Sequence, residues 1–256
     1  MVIDTEDGIL ASELEGALER ISTLLNILSP VTLLRFIRPR DPQTLERLLA
    51  MEGIGAIDGF VLPKFGVKNA QHYLSLVRDT PFVFMPSIEG DELFDPIRLS
   101  EIREMLLPYR PRIPLIRFGA EDMLSQLGLR RDCSRSLFEM NAPSYAIGAL
   151  LSLFKPYGFD ISGGVFRCYQ DHEGFKHDLL RDLSEGLVSK TIIHPDQIDL
   201  IELCYRVTSE ELDEAQRLLA AGSAVFSLNG TMGEAVTQHK WAENILIRSS
   251  HYNVQI

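Results

Sequence analysis

The stretch FVLPKFG, residues 60–66, ends an apolar run with a proline and places a lysine directly after it. Short apolar runs of this kind are typical of buried strands. In parallel sheets, ligands bind outside the carboxyl ends of the strands. A buried strand that ends in a charge is therefore a candidate part of such a site, and Lys64 is its first candidate residue.

The same pattern recurs along the chain. Stretches such as DPQTLERLLAMEG (41–53) lie between the runs and predict helices, here with Leu45, Leu48 and Leu49 on one face and Gly53 at the stop. Near-continuous apolar strands that alternate with helices predict a parallel sheet covered on both faces. The predicted strands are VID (2–4), VTLLRFI (31–37), AIDGFVLP (56–63), PFVFMP (81–86), IPLIRFG (113–119), GGVFRCY (163–169) and KTIIHP (190–195).

The polar residues at the ends of these runs favour a closed barrel. A (β/α)₈ barrel has eight strands, whereas an open doubly wound sheet accepts seven. In a barrel the strand ends converge on one mouth, where barrel active sites lie, whereas in an open sheet they spread along a line. The residues at or just after the run ends are Arg38, Lys64, Glu89, Asp122, Asp171 and His194.

Composition narrows the partners and the compartment. The net charge of -11 argues against a nucleic-acid partner, which needs a basic surface. No apolar run reaches the roughly 18 residues of a membrane span, and the N-terminus lacks signal-peptide character. The three cysteines form no CxxC pair and no short-spaced His/Cys set, which predicts neither a structural zinc site nor a disulfide framework and favours the cytoplasm.

Glu89 and Asp122 are the candidate metal ligands. Each follows a predicted strand and lies beside or near a glycine, in MPSIEG and FGAED, and glycine allows close approach of the backbone to a ligand. Two carboxylates together with substrate oxygens and waters suit Mg²⁺. The competing interpretation is that both are ordinary acids at helix starts, where they cap the helix or stabilise its dipole.

Arg38, directly after its apolar run, is the preferred arginine for holding a carboxylate or stabilising an enolate. Arg40 fits an ion pair with Asp41 in a surface loop. Arg35 is a third candidate for the substrate arginine if the register of the predicted strand differs. Lys64 could position an anionic oxygen or form a Schiff base, which needs a depressed pKa. It could also simply cap its strand.

His194 could be an acid/base group or a ligand, although a hydrogen-bonded histidine that orders a loop is the commoner case. Asp171 is a further charge at a strand end. Arg38, Lys64, Asp171 and His194 form the predicted substrate-binding set.

Several motifs, in order along nearly the whole chain, resemble the citrate lyase beta subunit family within the HpcH/HpaI aldolase group. More narrowly, they resemble its branch of carbon–carbon bond lyases with the TIM-barrel fold that is associated with stress and tellurium-resistance operons. The motifs are VIDTEDGI (2–9), FIRPRDP (36–42), DGFVLPK (58–64), MPSIEG (85–90), FGAED (118–122), GGVFRCYQDHEGF (163–175), IIHPDQI (192–198) and LNGTMGEA (228–235).

The resemblance implies a TIM barrel with Mg²⁺ at its mouth, held by Glu89 and Asp122, with Arg38 on the substrate. It implies a lyase of retro-aldol or retro-Claisen type that passes through an enolate. The substrate would be a keto acid or a hydroxyacyl thioester, which could carry coenzyme A. It also implies homo-oligomers, trimers or hexamers, in which the C-terminal segment closes the site of a neighbour. Glu234, which stands where the family has the aspartate of its MVD motif, is then a candidate catalytic residue that acts in trans, as an acid/base group or a gate over the site of a neighbour.

The chain also departs from the family pattern. Family members begin with a strand like RSLLFVP before the VIDTEDGI match, so the resemblance implies a barrel that lacks its first strand, in line with the count of seven. Cys168 and Gln170 replace an Asp and an Arg, and NAPSYAI (141–147) lacks the arginines of the family. These departures weaken the implied recognition of a thioester more than the implied metal binding.

The predicted organisation is a barrel domain at residues 1–207 and a C-terminal helical segment at 208–256, an oligomer arm or lid. A Mg²⁺-dependent carbon–carbon lyase is the leading hypothesis. A non-catalytic barrel that serves as a binding or scaffold component of a stress-response system is the alternative. A barrel that acts on phosphoenolpyruvate-type substrates is a third.

Overall fold

The computed structural model describes residues 1–29 and 32–255. Five parallel strands pair in chain order: β1 Val2–Asp4, β2 Phe36–Arg38, β3 Gly59–Leu62, β4 Val83–Ile88 and β5 Arg117–Phe118. A parallel bridge between Ile116 and Ile161 continues toward the pair β6 Ser162–Gly163 and β7 Ser189–Lys190. The seven predicted parallel strands are therefore confirmed. The predicted start of the second strand, at Val31, lies outside the described residues.

The helices follow the strands in alternation, as the sequence predicts. Their bounds are α1 Leu14–Leu25, α2 Pro42–Leu49, α3 Ala70–Val77, α4 Pro96–Leu106, α5 Ala120–Gln126, α6 Asn141–Phe154, α7 His172–Ser184, α8 Gln197–Cys204, α9 Ser209–Leu219 and α10 His239–Tyr252. The hairpin strands β8 Val225–Leu228 and β9 Thr231–Glu234 lie between α9 and α10.

Helix α2 shows how local sequence sets these elements. Asp41 caps the helix by accepting a hydrogen bond from the backbone N–H of Thr44, and Pro42 occupies the first turn, where a missing N–H costs nothing. Leu45 and Leu48 lie on the buried face. The helix ends at Leu49, before the glycine that the sequence marks as its stop.

The chain forms two compact units. The first contains Met1–Arg167 and Arg181–Thr191, and the second contains Cys168–Leu180 and Ile192–Ile256. The second unit holds α9, the β8–β9 hairpin and α10; the two helices belong to the predicted C-terminal helical segment, and the hairpin was not predicted. The functional division into residues 1–207 and 208–256 stays a prediction.

The faces of the parallel sheet carry different side chains, because side chains alternate along a strand. Phe60 of β3 is buried in the large apolar core that includes the helices. Val61 points the other way and packs with Phe36 and Met85 in a separate apolar cluster, with Leu115 beside it. This second face is the one that a barrel encloses, and its apolar cluster forms the floor below the polar strand ends.

The sequence places two short strands imprecisely. GGVFRCY predicts a strand over 163–169, but β6 is Ser162–Gly163, and KTIIHP predicts 190–195, but β7 is Ser189–Lys190. In both runs the paired residues lie at the N-terminal edge of the apolar stretch or just before it, because pairing depends on the neighbouring strand rather than on local composition.

The cysteines behave differently from the prediction. Cys204 is buried and free, whereas Cys133 and Cys168 are disulfide-bonded. The expectation that the cysteines form no disulfide framework is therefore wrong, because spacing along the sequence does not determine which cysteines are oxidised. The predicted cytoplasmic location loses that support and stays a prediction. Within the described residues, no helix has the length and apolar character to cross a membrane.

Candidate active site

Charged side chains of the first unit gather at the carboxyl ends of β1 to β5. Arg38 ends β2 beside Asp4 at the end of β1, as the parallel register requires. The Nε and Nη2 of Arg38 donate to the two carboxylate oxygens of Asp4, each at 2.7 Å. Burial lowers the pKa of Arg38, but hydrogen bonds and attraction from Asp4 and the nearby Glu6 outweigh it and raise the pKa. Arg38 is therefore always charged here.

Glu6 connects the ends of β1, β2 and β3. It is 2% exposed, and its two oxygens lie 3.1 Å from the Nη1 of Arg38 and 2.6 Å from the Nζ of Lys64. The same ammonium contacts Asp7 at 3.0 Å. Burial lowers the pKa of Lys64, whereas the hydrogen bonds to Glu6 and Asp7 raise it more strongly. A Schiff-base lysine needs the opposite shift, so the ion pairs with Glu6 and Asp7 disfavour that role for Lys64.

Lys64 acts on the site through its backbone as well. Its φ of 47° lies in the left-handed region, which non-glycine residues rarely occupy. In this conformation its N–H donates to the Oε1 of Glu89 at 2.6 Å. The side chain of Asn69 donates to the carbonyl of Lys64 at 2.9 Å and helps to hold the turn.

Glu89 follows β4 and is 3% exposed. The hydroxyl of Ser87 donates to its Oε2 at 2.9 Å. The carboxylate packs directly on Gly119, where an added Cβ would lie 2.2 Å from Oε2. The sequence predicts that glycine lets a ligand approach the backbone closely, but at Gly119 the group that approaches is the side chain of Glu89. Burial raises the pKa of Glu89, the N–H of Lys64 opposes this, the charge of Asp122 adds to it, and the result is about 7.

Asp122 lies in the first turn of α5, directly after β5. Burial raises its pKa, the charge of Lys64 opposes this rise, and Asp7 adds to it. Both predicted interpretations of this acid are compatible with its position, because Asp122 lies in the first turn of a helix and its charge raises the pKa of Glu89. Glu89, by contrast, lies outside any helix and is not a helix cap.

The residues fit a divalent cation. Among the described residues, neither Glu89 nor Asp122 has a cationic side chain within ion-pair distance, although the charge of Asp122 raises the pKa of Glu89. Two carboxylates with raised pKa and no counter-ion match the charge of one divalent ion. Residues 1–29 and 32–255 contain no group of three His, Cys, Asp or Glu side chains placed to hold a metal. Such a site needs water or substrate oxygens as further ligands, as Mg²⁺ commonly does.

Arg117 is the cation of this layer that the sequence analysis missed. It lies in β5 opposite Ser87 and on the same face of the sheet as Leu115. Its Nη2 donates to the hydroxyl of Thr191 at 2.9 Å. Burial lowers its pKa and the charge of Arg38 lowers it further, while Glu89 opposes the shift. The signal in the sequence that could have identified Arg117 was a charged residue between two apolar ones, Ile116 and Phe118, which are both buried.

We define two parts of this charged layer by their partners. The paired half contains cations and anions in mutual ion pairs, and the open half contains charged groups without an ion pair among the described residues. The paired half is Asp4, Glu6, Asp7, Arg38 and Lys64; the open half is Glu89, Asp122 and Arg117.

The other two arginines of the second strand lie in structural roles. Arg40 donates to the carbonyls of Glu6 and Ile9, both at 2.8 Å, and does not pair with Asp41, which caps α2. The predicted Arg40–Asp41 pair is therefore wrong. Arg35 lies at the start of β2, where its Nη2 donates to the carbonyl of Ser29 at 2.6 Å.

The remaining predicted residues lie in the second unit. Asp171 accepts a hydrogen bond from the backbone N–H of Gly174 at 3.0 Å and caps the start of α7. The Nδ1 of His194 accepts from the N–H of Asp196, and its ring stacks on Tyr169 with centroids 4.5 Å apart. Glu234 ends β9 and accepts from the hydroxyl of Thr237 at 2.8 Å. The substrate-binding and catalytic roles of these three stay predictions.

Comparisons with known proteins agree with this architecture. A family model described as C-C bond lyase of the TIM-barrel fold matches residues 1–254. A (3S)-malyl-CoA thioesterase of Cereibacter sphaeroides is 24% identical over 251 residues, 96% of this chain and 82% of that protein. The mitochondrial citramalyl-CoA lyase of Mus musculus is 24% identical over 274 residues, 96% of this chain and 77% of that protein.

Among solved structures, the protein CitE from Mycobacterium tuberculosis in complex with magnesium, acetoacetate and coenzyme A matches with a TM-score of 0.73. It is 22% identical, and the match covers 97% of this chain and 89% of that chain. The predicted barrel fold and the predicted resemblance are both confirmed by these matches. The magnesium in that complex is the ion that the sequence predicts.

Proposed function

We propose that this chain, which belongs to the family of carbon–carbon bond lyases of the TIM-barrel fold, is a Mg²⁺-dependent lyase. Its substrate is a hydroxyacyl thioester or a keto acid, and the bond that breaks lies beside a carbonyl. The observation that carries this proposal is the pair Glu89 and Asp122, two carboxylates without a cationic partner at the carboxyl ends of adjacent strands.

The chemistry explains why such a pair is useful. In a β-hydroxyacyl substrate, the hydroxyl loses its proton, the bond between the α and β carbons breaks, and a new carbonyl forms. The electron pair moves to the α carbon and its neighbouring carbonyl as an enolate, which later takes up a proton. When bound, Mg²⁺ supplies positive charge where negative charge develops on oxygen.

The side chains of the chain then have separable tasks. Glu89 and Asp122 hold the cation, and the N–H of Lys64 with the hydroxyl of Ser87 fix the direction of the Glu89 carboxylate. Asp4 holds the Nε and Nη2 edge of the Arg38 guanidinium, and the Nη1 lies 3.1 Å from the carboxylate of Glu6. In this proposal the fixed positive charge of Arg38 stabilises the negative charge that develops on the substrate oxygen.

The second unit supplies the proton-transfer candidate in this proposal. Glu234 carries an ionisable carboxylate at the end of the β8–β9 hairpin. We assign it the acid/base role over the site of a neighbouring subunit in a trimer or hexamer, with Asp171 and His194 as substrate-binding groups. Mixing Glu234→Ala with Asp122→Ala protein tests this assignment, because only mixed oligomers regain complete sites. Absence of any regained activity contradicts it.

Calorimetric titration with Mg²⁺ tests the metal site. Glu89→Ala and Asp122→Ala should each weaken binding at least about 100-fold, since each removes one of two protein ligands. Glu121→Ala and Asp91→Ala are matched controls, because both acids are exposed neighbours of the two candidates. Saturable binding by both site variants at wild-type affinity contradicts the site.

An activity assay tests the reaction itself. The purified chain is mixed with Mg²⁺ and either malyl-CoA or citramalyl-CoA, and the products are separated by chromatography. Carbon–carbon cleavage yields a shorter acyl-CoA and a keto acid, whereas thioester hydrolysis yields free coenzyme A. The proposal predicts the first pair of products. Free coenzyme A as the sole product would instead indicate a thioesterase, and absence of turnover would favour the scaffold alternative.

A further inference from the structure

The charged layer leaves one cation unneutralised. Arg38 lies between Asp4 and Glu6, and Lys64 lies between Glu6 and Asp7. Arg117 has the hydroxyl of Thr191 as its hydrogen-bond partner and no carboxylate within ion-pair distance among the described residues. A partly buried guanidinium without a counter-ion is costly, so an anion that arrives with a ligand has a ready partner there.

The geometry of Arg117 suits such an anion. Its Nε and Nη1 make no hydrogen bond to the described residues, and neither is sealed from solvent as an unsatisfied buried atom. The hydroxyl of Thr191 fixes Nη2 and thereby the orientation of the guanidinium plane. A planar guanidinium with free N–H groups binds carboxylates in a fork geometry.

The position of Arg117 relates it to the candidate metal site. Its strand partner is Ser87, the residue that donates to Glu89. Below them, toward the start of the strands, Met85 and Phe36 close the layer with apolar side chains. A ligand that enters from the strand ends therefore meets Glu89 and Arg117 above an apolar floor.

We propose that Arg117 binds a carboxylate of the substrate and so selects acids over neutral carbonyl compounds. This inference rests on the proposed lyase function, since it assigns the anion-binding group of the same site. The substrate class narrows to molecules that carry a free carboxylate in addition to the reacting carbonyl or thioester. Arg38 and Lys64 already contact carboxylates of the chain, so Arg117 is the cation of this layer that is left for a carboxylate of the substrate.

Binding of oxaloacetate and pyruvate in the presence of saturating Mg²⁺ tests the inference, with calorimetry as the readout. Arg117→Gln should weaken binding of these keto acids by about 10- to 100-fold, the range for one charge-assisted contact. Arg117→Lys keeps the charge without the fork and should recover part of the affinity. Arg47→Gln is the control, because it removes the same charge from an exposed site in the same unit.

The Mg²⁺ affinity of Arg117→Gln should equal that of the wild type, which separates anion binding from metal binding and from misfolding. If this variant does not fold, Arg117→Lys and Thr191→Val carry the test, and each should weaken keto-acid binding several-fold. Unchanged keto-acid affinity in the folded variants overturns the inference, as does failure of the wild type to bind either acid. Intact carboxylate binding without carbon–carbon cleavage would instead overturn the lyase function and leave the role of Arg117 standing.

Discussion

The paired half and the open half of the charged layer lie on neighbouring strands of one sheet but differ in how their charges are compensated. In the paired half, Glu6 lies between two cations and each cation contacts two carboxylates. In the open half, Glu89 and Asp122 share no cation, and Arg117 shares no anion, among the described residues. Charges that satisfy one another hold a fold together, whereas charges that do not are available to ligands.

The comparison predicts opposite effects of removing a buried carboxylate from each half. The largest effect is expected in the open half. Glu89→Gln should stabilise the metal-free protein at pH 8 by roughly 2–3 kcal/mol. The substitution replaces a buried carboxyl group, whose pKa is raised to about 7, with a neutral amide. Urea unfolding measures the free energy of unfolding, and a loss of stability in this variant would contradict the comparison.

The same shift predicts a pH dependence. The pKa of Glu89 is raised in the folded protein relative to the unfolded chain, so the folded state binds more protons between about 4.5 and 7. The contribution of Glu89 to stability is favourable below this window and is lost as pH rises through it. The wild-type stability should therefore fall more steeply than that of Glu89→Gln over this window when Mg²⁺ is absent.

The paired half should respond with the opposite sign. Glu6→Gln removes the buried carboxylate that Arg38 and Lys64 share and should destabilise the protein by about 2 kcal/mol, a value reduced for the partial exposure of both cations. Glu15→Gln is the matched control, since it breaks an exposed ion pair with Arg47 and should change little. Equal unfolding midpoints of Glu6→Gln and wild type would remove the distinction between the halves.

The sequence predicted the scaffold well because its signals are local. The apolar run of β3 and the apolar face of α2 each follow from residues close together in the chain, whereas the cap of α2 by Asp41 and the β8–β9 hairpin were not predicted. The candidate site was predicted in part: Arg38, Lys64, Glu89 and Asp122 end consecutive strands, so the parallel topology alone brings them to one edge.

What sequence could not provide is the pairing of charges. Nothing in VIDTEDGI indicates that Glu6 is buried between two cations, since its partners lie 32 and 58 positions further along the chain. Arg117 was hidden for a related reason. In the sequence it is one charged residue inside an apolar run. Only its neighbours in the folded structure show that it has no counter-ion among the described residues.

A smaller effect tests how the open half is shaped. Gly119→Ala would place a methyl group 2.2 Å from the Oε2 of Glu89 and push the carboxylate from its place. Mg²⁺ affinity should fall about 10-fold, as for other losses of ligand orientation, while Gly148→Ala, whose added methyl meets nothing within 4 Å, should leave it unchanged. Calorimetry with both variants measures this, and wild-type affinity in Gly119→Ala would mean that the observed position of Glu89 is not the one that binds metal.

The most direct test of the central claim is a crystal structure grown with Mn²⁺, an anomalous scatterer that replaces Mg²⁺ at oxygen-rich sites. We expect one strong anomalous peak in the open half, within coordination distance of carboxylate oxygens of both Glu89 and Asp122, with water completing the shell. A peak elsewhere in the chain, or no peak at these two side chains at saturating Mn²⁺, would contradict it.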